Sequence, residues 1–276
     1  MIDRIYVDAY GQYGLGHLIR SRTIAKSLGN YVESINRFFP KKADISVIDS
    51  YHCSYLDYLN ISKLSKLSLF IDDYNRIKYP KGVLLNISFE AKKIVKQSKT
   101  LNLLGVDYVP IREEFLNRKR NLKHILIILG GVDFFNISLK IEKLNLPYQT
   151  LIVTTNQMIA RNSKNVLLNP SVTQLAEAFA NSILAISGAG MSLYELNYLG
   201  VPTIAIKIAK NQNGVYQFQK RGFIKDVFEK KFDLKLLQNS IYWHLNHYDL
   251  VLNRYTNRFI DGYGVKRIKN KILELL

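Results

Sequence analysis

Arg4-Ile-Tyr-Val-Asp-Ala9-Tyr10-Gly11-Gln-Tyr-Gly14-Leu-Gly16-His17-Leu-Ile-Arg20-Ser-Arg-Thr-Ile-Ala-Lys-Ser-Leu28 is the stretch on which the reading of the fold turns. It begins with a short apolar run of strand length, passes through Gly11, Gly14 and Gly16, and continues from His17 to Leu28 in a helical pattern. A strand that enters a helix through a glycine turn is the opening unit of a doubly wound sheet. The glycines allow a tight turn and leave room for a ligand at the carboxyl edge of the strand, where such sheets bind ligands. Their spacing is GxxGxG, which is neither the phosphate loop ending in Gly-Lys-Ser/Thr nor the GxGxxG dinucleotide fingerprint.

The alternation continues along the chain. Strands are expected at Arg4–Ala9, Ile45–Asp49, Leu67–Ile71, Val83–Asn86, Ile125–Leu129, Thr150–Thr154, Val166–Leu168, Ile183–Ile186 and Thr203–Ile206. Helices are expected at His17–Leu28, Ser138–Leu144, Ser171–Ala180, Ser192–Leu199, Leu234–His244 and Lys266–Leu275. The strand runs are apolar throughout rather than alternating, as in parallel sheets covered on both faces. A polar stretch between Pro110 and Lys123, containing Arg112-Glu113-Glu114 and Arg118-Lys119-Arg120, separates two strand series. The expectation is an α/β protein of two Rossmann-like domains, 1–117 and 118–276. Each has a parallel sheet, a ligand cleft lies between them, and the last helix packs back on the first domain.

Of 276 residues, 47% are hydrophobic and 22% charged, which suits a buried core and excludes disorder as the main state. The net charge of +17 is spread evenly, +8 up to residue 120 and +9 beyond it. The favoured reading is a solvated lysine-rich surface; the other is weak attraction to anionic substrates or to a membrane surface. No Cys/His finger, aromatic RNP-like run or heptad array accompanies the charge, so nucleic acid is not an expected partner. The lone Cys53 excludes a disulfide framework and suits a reducing compartment. No leader and no apolar run of membrane-spanning length are read, so a cytoplasmic location is expected; a monomer is the expected state.

Four loops carry candidate chemistry. In the first, His17 falls at the start of a helix, where a neutral imidazole can accept a proton from water and the positive end of the helix disfavours imidazolium. Gly14, Gly16 and Arg20 are its candidate substrate contacts; the bland alternative is a glycine turn with a packed histidine. The second loop is Ser187-Gly-Ala-Gly190-Met191-Ser192-Leu-Tyr-Glu195, between a strand and a helix. Free N–H groups of Gly190, Met191 and Ser192 would bind a diphosphate, and Glu195 would accept from both hydroxyls of a ribose. The alternative is a capped turn with a dipole-favoured acid. The third, Gly130-Gly131-Val132-Asp133, allows close ligand approach at Gly131 or is an ordinary turn. The fourth, Lys210-Asn211-Gln212-Asn213, reaches the cleft with amides or is a polar loop. Tyr51 follows the strand Ile45–Asp49 and shares its predicted edge with His17. Asp72-Asp73 reads as turn and cap groups. His52, His124, His244 and His247 lack zinc spacing, with His244 and His247 read as surface or partly packed, so no metal is assigned.

In order, Gly14-Leu-Gly16-His17-Leu-Ile-Arg20, Ile71-Asp72-Asp73, Leu85-Asn86, Tyr108-Val-Pro-Ile-Arg112-Glu113-Glu114-Phe115, Leu129-Gly130-Gly131-Val-Asp133, Ser187–Glu195, Lys210-Asn211-Gln212 and Asp261-Gly262-Tyr-Gly264-Val-Lys-Arg267 cover nearly the whole chain. This ordered set resembles the UDP-sugar hydrolases of pseudaminic acid biosynthesis, relatives of the spore-coat polysaccharide proteins and of the lipid-II-forming N-acetylglucosaminyltransferase. The resemblance implies a GT-B fold. It also implies metal-independent, cofactor-free hydrolysis of UDP-2,4-diacetamido-2,4,6-trideoxy-β-L-altropyranose, with inversion and C–O cleavage. By the same resemblance His17 activates water, Tyr51 is the family's tyrosine, and Asn211 lies in the sugar pocket. The chain departs from the family at Asp8-Ala9-Tyr10-Gly11 and at Val132, where a hydroxyl residue is usual. Two further readings are a GT-B glycosyltransferase with a lipid or peptide acceptor and a non-catalytic nucleotide-sugar binding protein; His17 and Glu195 together argue against the second.

Overall fold

The computed structural model describes residues 3–9, 15–130, 133, 135–209 and 212–276. The chain forms two compact units, Met1–Ile111 with Asp261–Leu276, and Arg112–Ile260. The division at Ile111/Arg112 falls a few residues before the boundary expected at 117/118.

The first unit holds β1 (Asp3–Val7), β2 (Tyr31–Ile35), β3 (Ala43–Asp49), β4 (Ser65–Ile71), β5 (Gly82–Asn86) and β6 (Thr100–Leu104). They form one sheet in the order β2-β1-β3-β4-β5-β6, with every adjacent pair parallel. Helices α1 (Gly16–Leu28), α2 (Tyr55–Lys63) and α3 (Ala91–Ile94) connect them. Successive side chains of a strand point to opposite faces. Ile5 and Val7 pack with Leu18 and Ala25 on one face, while Tyr6 joins Ile48, Phe70, Leu84, Tyr58 and Tyr79 on the other. Both faces are covered, which explains strands with no polar alternation. The chain leaves β1 toward one side of the sheet and β3 toward the other, so the switch point lies between their carboxyl ends.

The second unit holds β7 (His124–Ile128), β8 (Thr150–Thr154), β9 (Val166–Leu168), β10 (Ser182–Gly188), β11 (Thr203–Lys207) and β12 (Ile224–Glu229). Its sheet runs β12-β11-β10-β7-β8-β9, again parallel throughout, which is the strand order of dinucleotide-binding sheets. Between the strands lie α4 (Ile137–Glu142), α5 (Gln157–Asn162), α6 (Val172–Ala180), α7 (Ser192–Leu199) and α8 (Val215–Lys220), with α9 (Leu234–Asn246) and α10 (Tyr248–Arg254) following β12. Here the switch point lies between β7 and β10, at the loops that begin with Gly130 and follow Gly188.

The last helix, α11 (Gly264–Leu273), belongs to the first unit and packs against α1. Gly264 is required by close approach, since a Cβ there would sit 2.1 Å from the Val109 carbonyl oxygen. Arg267 fastens the helix by donating to the Asp261 carboxylate and to the Asp107 carbonyl.

Three strands absent from the sequence expectation, β2, β6 and β12, all lie at sheet edges. Val32 of β2 and Leu101 of β6 are 41% and 40% exposed. Edge strands are half solvated, so they lack the continuous apolar run by which the central strands are recognised.

Candidate functional site

In the first unit the switch point gathers a buried ionic cluster. Residue 16 opens α1, so His17 sits in its first turn. His17 Nδ1 lies 2.6 Å from Oδ1 of Asp49, the last residue of β3. An ionised carboxylate only accepts, so Nδ1 carries a proton, and in the neutral ring the lone pair is then on Nε2. One turn on, Arg20 donates from Nε to Asp49 Oδ2 at 2.5 Å and from Nη2 to Oδ1 at 2.8 Å. Its Nη1 reaches Asp73 Oδ2 at 2.7 Å. Nη2 also lies 3.1 Å from His17 Nδ1, two donors side by side on one carboxylate oxygen.

Asp49 is fully buried. Burial alone would raise its pKa, but the Arg20 charge and the His17 contact outweigh burial and hold it well below the usual carboxylate range. Burial likewise acts against the Arg20 charge, and Asp49 and Asp73 together overturn it, so Arg20 stays protonated. Tyr51 meets His17 edge-on with ring centroids 4.5 Å apart, and its hydroxyl donates to Asp73 Oδ2 at 3.3 Å. Burial, then the Asp73 charge, pushes the Tyr51 pKa upward, which keeps this hydroxyl a donor. Beside it, Asp8 at the end of β1 accepts from Ser50 Oγ and from Tyr51 N, and His52 Nδ1 approaches it at 3.3 Å.

Sequence reasoning brought His17, Arg20 and Tyr51 to this edge but missed Asp49 and the pairing of Asp73. The available signal was an acid that follows Val47-Ile48 directly at the carboxyl end of a strand. Asp72 does serve its turn, accepting from Tyr74 N, Arg76 N and the Tyr79 hydroxyl.

The switch point of the second unit is built differently from expectation in two respects. The Gly190 N–H is not free, because it donates to the Gly188 carbonyl at 2.9 Å. The N–H groups of Met191 and Ser192 have no acceptor among the described residues, so two donors remain at the start of α7. A Cβ on Gly190 would meet no atom within 4 Å, so nothing in the described chain demands glycine there. Glu195 is only 3% exposed, and it is not an open acceptor. Arg112 donates from Nε to Oε1 at 2.7 Å and from Nη2 to Oε2 at 2.8 Å, occupying one lone pair on each oxygen.

Ser187 is buried and its hydroxyl donates to the Gly188 carbonyl. Gln212 Oε1 accepts from Ile208 N and Ala209 N, so its carbonyl folds the loop after β11. Asp133 caps α4, accepting from Ile137 N, Ser138 N and Ser138 Oγ. Gly14, Gly131 and Asn211 lie outside the described residues.

His244, expected at the surface or partly packed, is buried. It is 1% exposed, its Nδ1 donates to the Ser240 carbonyl, and burial lowers its pKa against the opposing pull of Asp226. Among the described residues no three His, Cys, Asp or Glu side chains converge as a metal site. No described helix is long and apolar enough to cross a membrane.

No protein-family model matches the chain. An uncharacterized protein of Methanocaldococcus jannaschii is 23% identical over 96% of this chain and 67% of its own length. The Helicobacter pylori pseudaminic acid cytidylyltransferase and UDP-2,4-diacetamido-2,4,6-trideoxy-beta-L-altropyranose hydrolase is 26% identical over 88% of this chain. The match spans 52% of that protein, about half its length. Among solved structures, Acinetobacter baumannii MurG aligns over 99% of this chain and 100% of its own, with a TM-score of 0.61 and 12% identity. UDP-GlcNAc 2-epimerase from Neisseria meningitidis covers the same shares at a TM-score of 0.57 and 12% identity. The spinosyn rhamnosyltransferase SpnG complexed with thymidine diphosphate aligns over 99% and 96% at 0.54 and 10% identity. The chain therefore has the GT-B fold, two parallel six-stranded sheets with helices.

Proposed function

We propose that the chain hydrolyses a UDP-sugar of the 2,4-diacetamido-2,4,6-trideoxy-β-L-altropyranose type, releasing UDP and the free sugar. The His17–Asp49 contact carries this reading, because it fixes the imidazole in the tautomer a general base requires. In the proposed reaction His17 Nε2 takes a proton from a water molecule as the water oxygen attacks the anomeric carbon. The bond from that carbon to the diphosphate oxygen breaks, its electron pair leaves with UDP, and the anomeric configuration inverts. Asp49 stabilises the imidazolium as it forms; Arg20, on the same carboxylate, keeps Asp49 ionised. Tyr51 and Asn211 are assigned to the sugar.

UDP is a good leaving group, and the second unit is assigned the task of meeting its charge. The N–H groups of Met191 and Ser192 at the positive end of α7, which have no acceptor among the described residues, suit a diphosphate, and the open space over Gly190 suits its close approach. Glu195 is assigned to the ribose. The name of the Helicobacter pylori relative supports the substrate and reaction class.

Proton and phosphorus NMR of the protein with this UDP-sugar, without acceptor and beside a His17→Ala variant, tests the reading. The expected result is UDP and inverted free sugar from the wild type, none from the variant, and equal UDP affinity in both. Release of UDP only when a lipid or peptide acceptor is added would replace hydrolysis with glycosyl transfer.

A further inference from the structure

The Arg112–Glu195 pair lies where the proposed function puts the ribose, and its geometry limits what Glu195 can do. Arg112 approaches side-on with Nε and Nη2, one donor to each carboxylate oxygen. This fork covers the edge that the two oxygens share. The lone pairs left over point away from each other, so the carboxylate cannot also chelate two adjacent hydroxyls. Arg112 is itself held in place, with its guanidinium 4.8 Å over the ring of Phe115, which is fully buried and packs edge-on against Phe179. Releasing Glu195 to a ligand would leave the charge of an Arg112 side chain that is only 12% exposed without its partner, which is strongly unfavourable.

We infer that Arg112 is a positioning residue for nucleotide recognition: it stays on Glu195 when the nucleotide binds and restricts the carboxylate to one ribose hydroxyl. This rests on the assignment of Glu195 to the ribose. The pair is a fixed acceptor rather than an open clamp, and the specificity it confers belongs to one position of the sugar ring.

Calorimetric titration of the full chain with UDP, 2′-deoxy-UDP and 3′-deoxy-UDP tests this, beside an Arg112→Lys variant. Lysine keeps the charge next to Glu195 but cannot form the fork. A melting curve near that of the wild type certifies its fold. The wild type is expected to bind one deoxy analogue about tenfold more weakly than UDP and the other as tightly as UDP, the size expected for one charge-assisted hydrogen bond. Arg112→Lys, which leaves the shared edge of the carboxylate open, is expected to lose the distinction and bind the two deoxy analogues alike. A variant as selective as the wild type would overturn the role of Arg112 while leaving Glu195 on the ribose. Equal weakening of the wild type by both deoxy positions would show that Arg112 vacates the shared edge and would overturn the inference. A wild type indifferent to both would remove Glu195 from the ribose and the inference with it.

Discussion

Replacing Asp49 by asparagine tests the proposed base most directly, because it changes one charge and almost no volume. Asp49 accepts from His17 Nδ1, Arg20 Nε and Arg20 Nη2 at 2.6, 2.5 and 2.8 Å, and Ser21 Oγ lies 3.3 Å away. An amide has one acceptor oxygen for these donors. With its NH2 at the Oδ2 position it opposes Arg20 Nε; at the Oδ1 position it opposes Arg20 Nη2 and faces His17, whose imidazole must then accept at Nδ1 and carry its proton on Nε2. In that tautomer Nε2 cannot take a proton from water. General-base catalysis is worth about 10²–10⁴ in rate, and loss of the working tautomer should cost about 10³ in kcat. That factor is about 4 kcal/mol of transition-state stabilisation. Removing one partner of a buried ion pair costs about 3–5 kcal/mol, and the Asp73 contact to Arg20 Nη1 keeps the expected loss of stability at the lower end, about 3 kcal/mol. Turnover by phosphorus NMR, UDP affinity by calorimetry and a denaturant melt separate the effects: kcat falls, stability falls, and UDP affinity holds. A variant with kcat within about threefold of the wild type, while His17→Ala is inactive, would refute the orienting role of Asp49.

Three other substitutions probe separate features. Gly190→Ala should melt within about 1 kcal/mol of the wild type, since its Cβ meets nothing, yet bind UDP about tenfold more weakly by crowding the diphosphate; unchanged affinity would take Gly190 out of the anion site. Gly264→Ala should cost about 3 kcal/mol, because the new Cβ collides with the Val109 carbonyl and α11 must shift; a wild-type melting curve would contradict that contact. His244 has a lowered pKa in the folded chain, so the unfolded chain takes up the proton first, and stability should fall as pH drops below about 6.5. His244→Gln should flatten the melting profile below about pH 6.5; an unaltered slope would assign that pH dependence to other groups.

The local pattern of the chain determined the central strands, their parallel character and the position of His17. Apolar runs of strand length, each closed by glycine or a polar turn, report burial on both faces of a sheet. Gly16 opens α1, which leaves His17 in the helix's first turn. The edge strands β2, β6 and β12 escaped because half-solvated strands tolerate residues such as Glu33 and Asn102 that break an apolar run.

The chemistry around His17 was decided only by tertiary structure. His17 and Asp49 are 32 residues apart, Arg20 and Asp73 53 apart, and Arg112 and Glu195 83 apart. Hydrophobic periodicity spans a few residues and records which face of an element is buried. It carries no record of which strand lies beside which. That lateral order sets β3 against β1 and β10 against β7, and so brings charges distant in sequence together at the carboxyl edges. A buried charge is stable there only with a partner. Asp49 is therefore held by His17 and Arg20, and Glu195 by Arg112, through contacts that exist only once the sheets have formed.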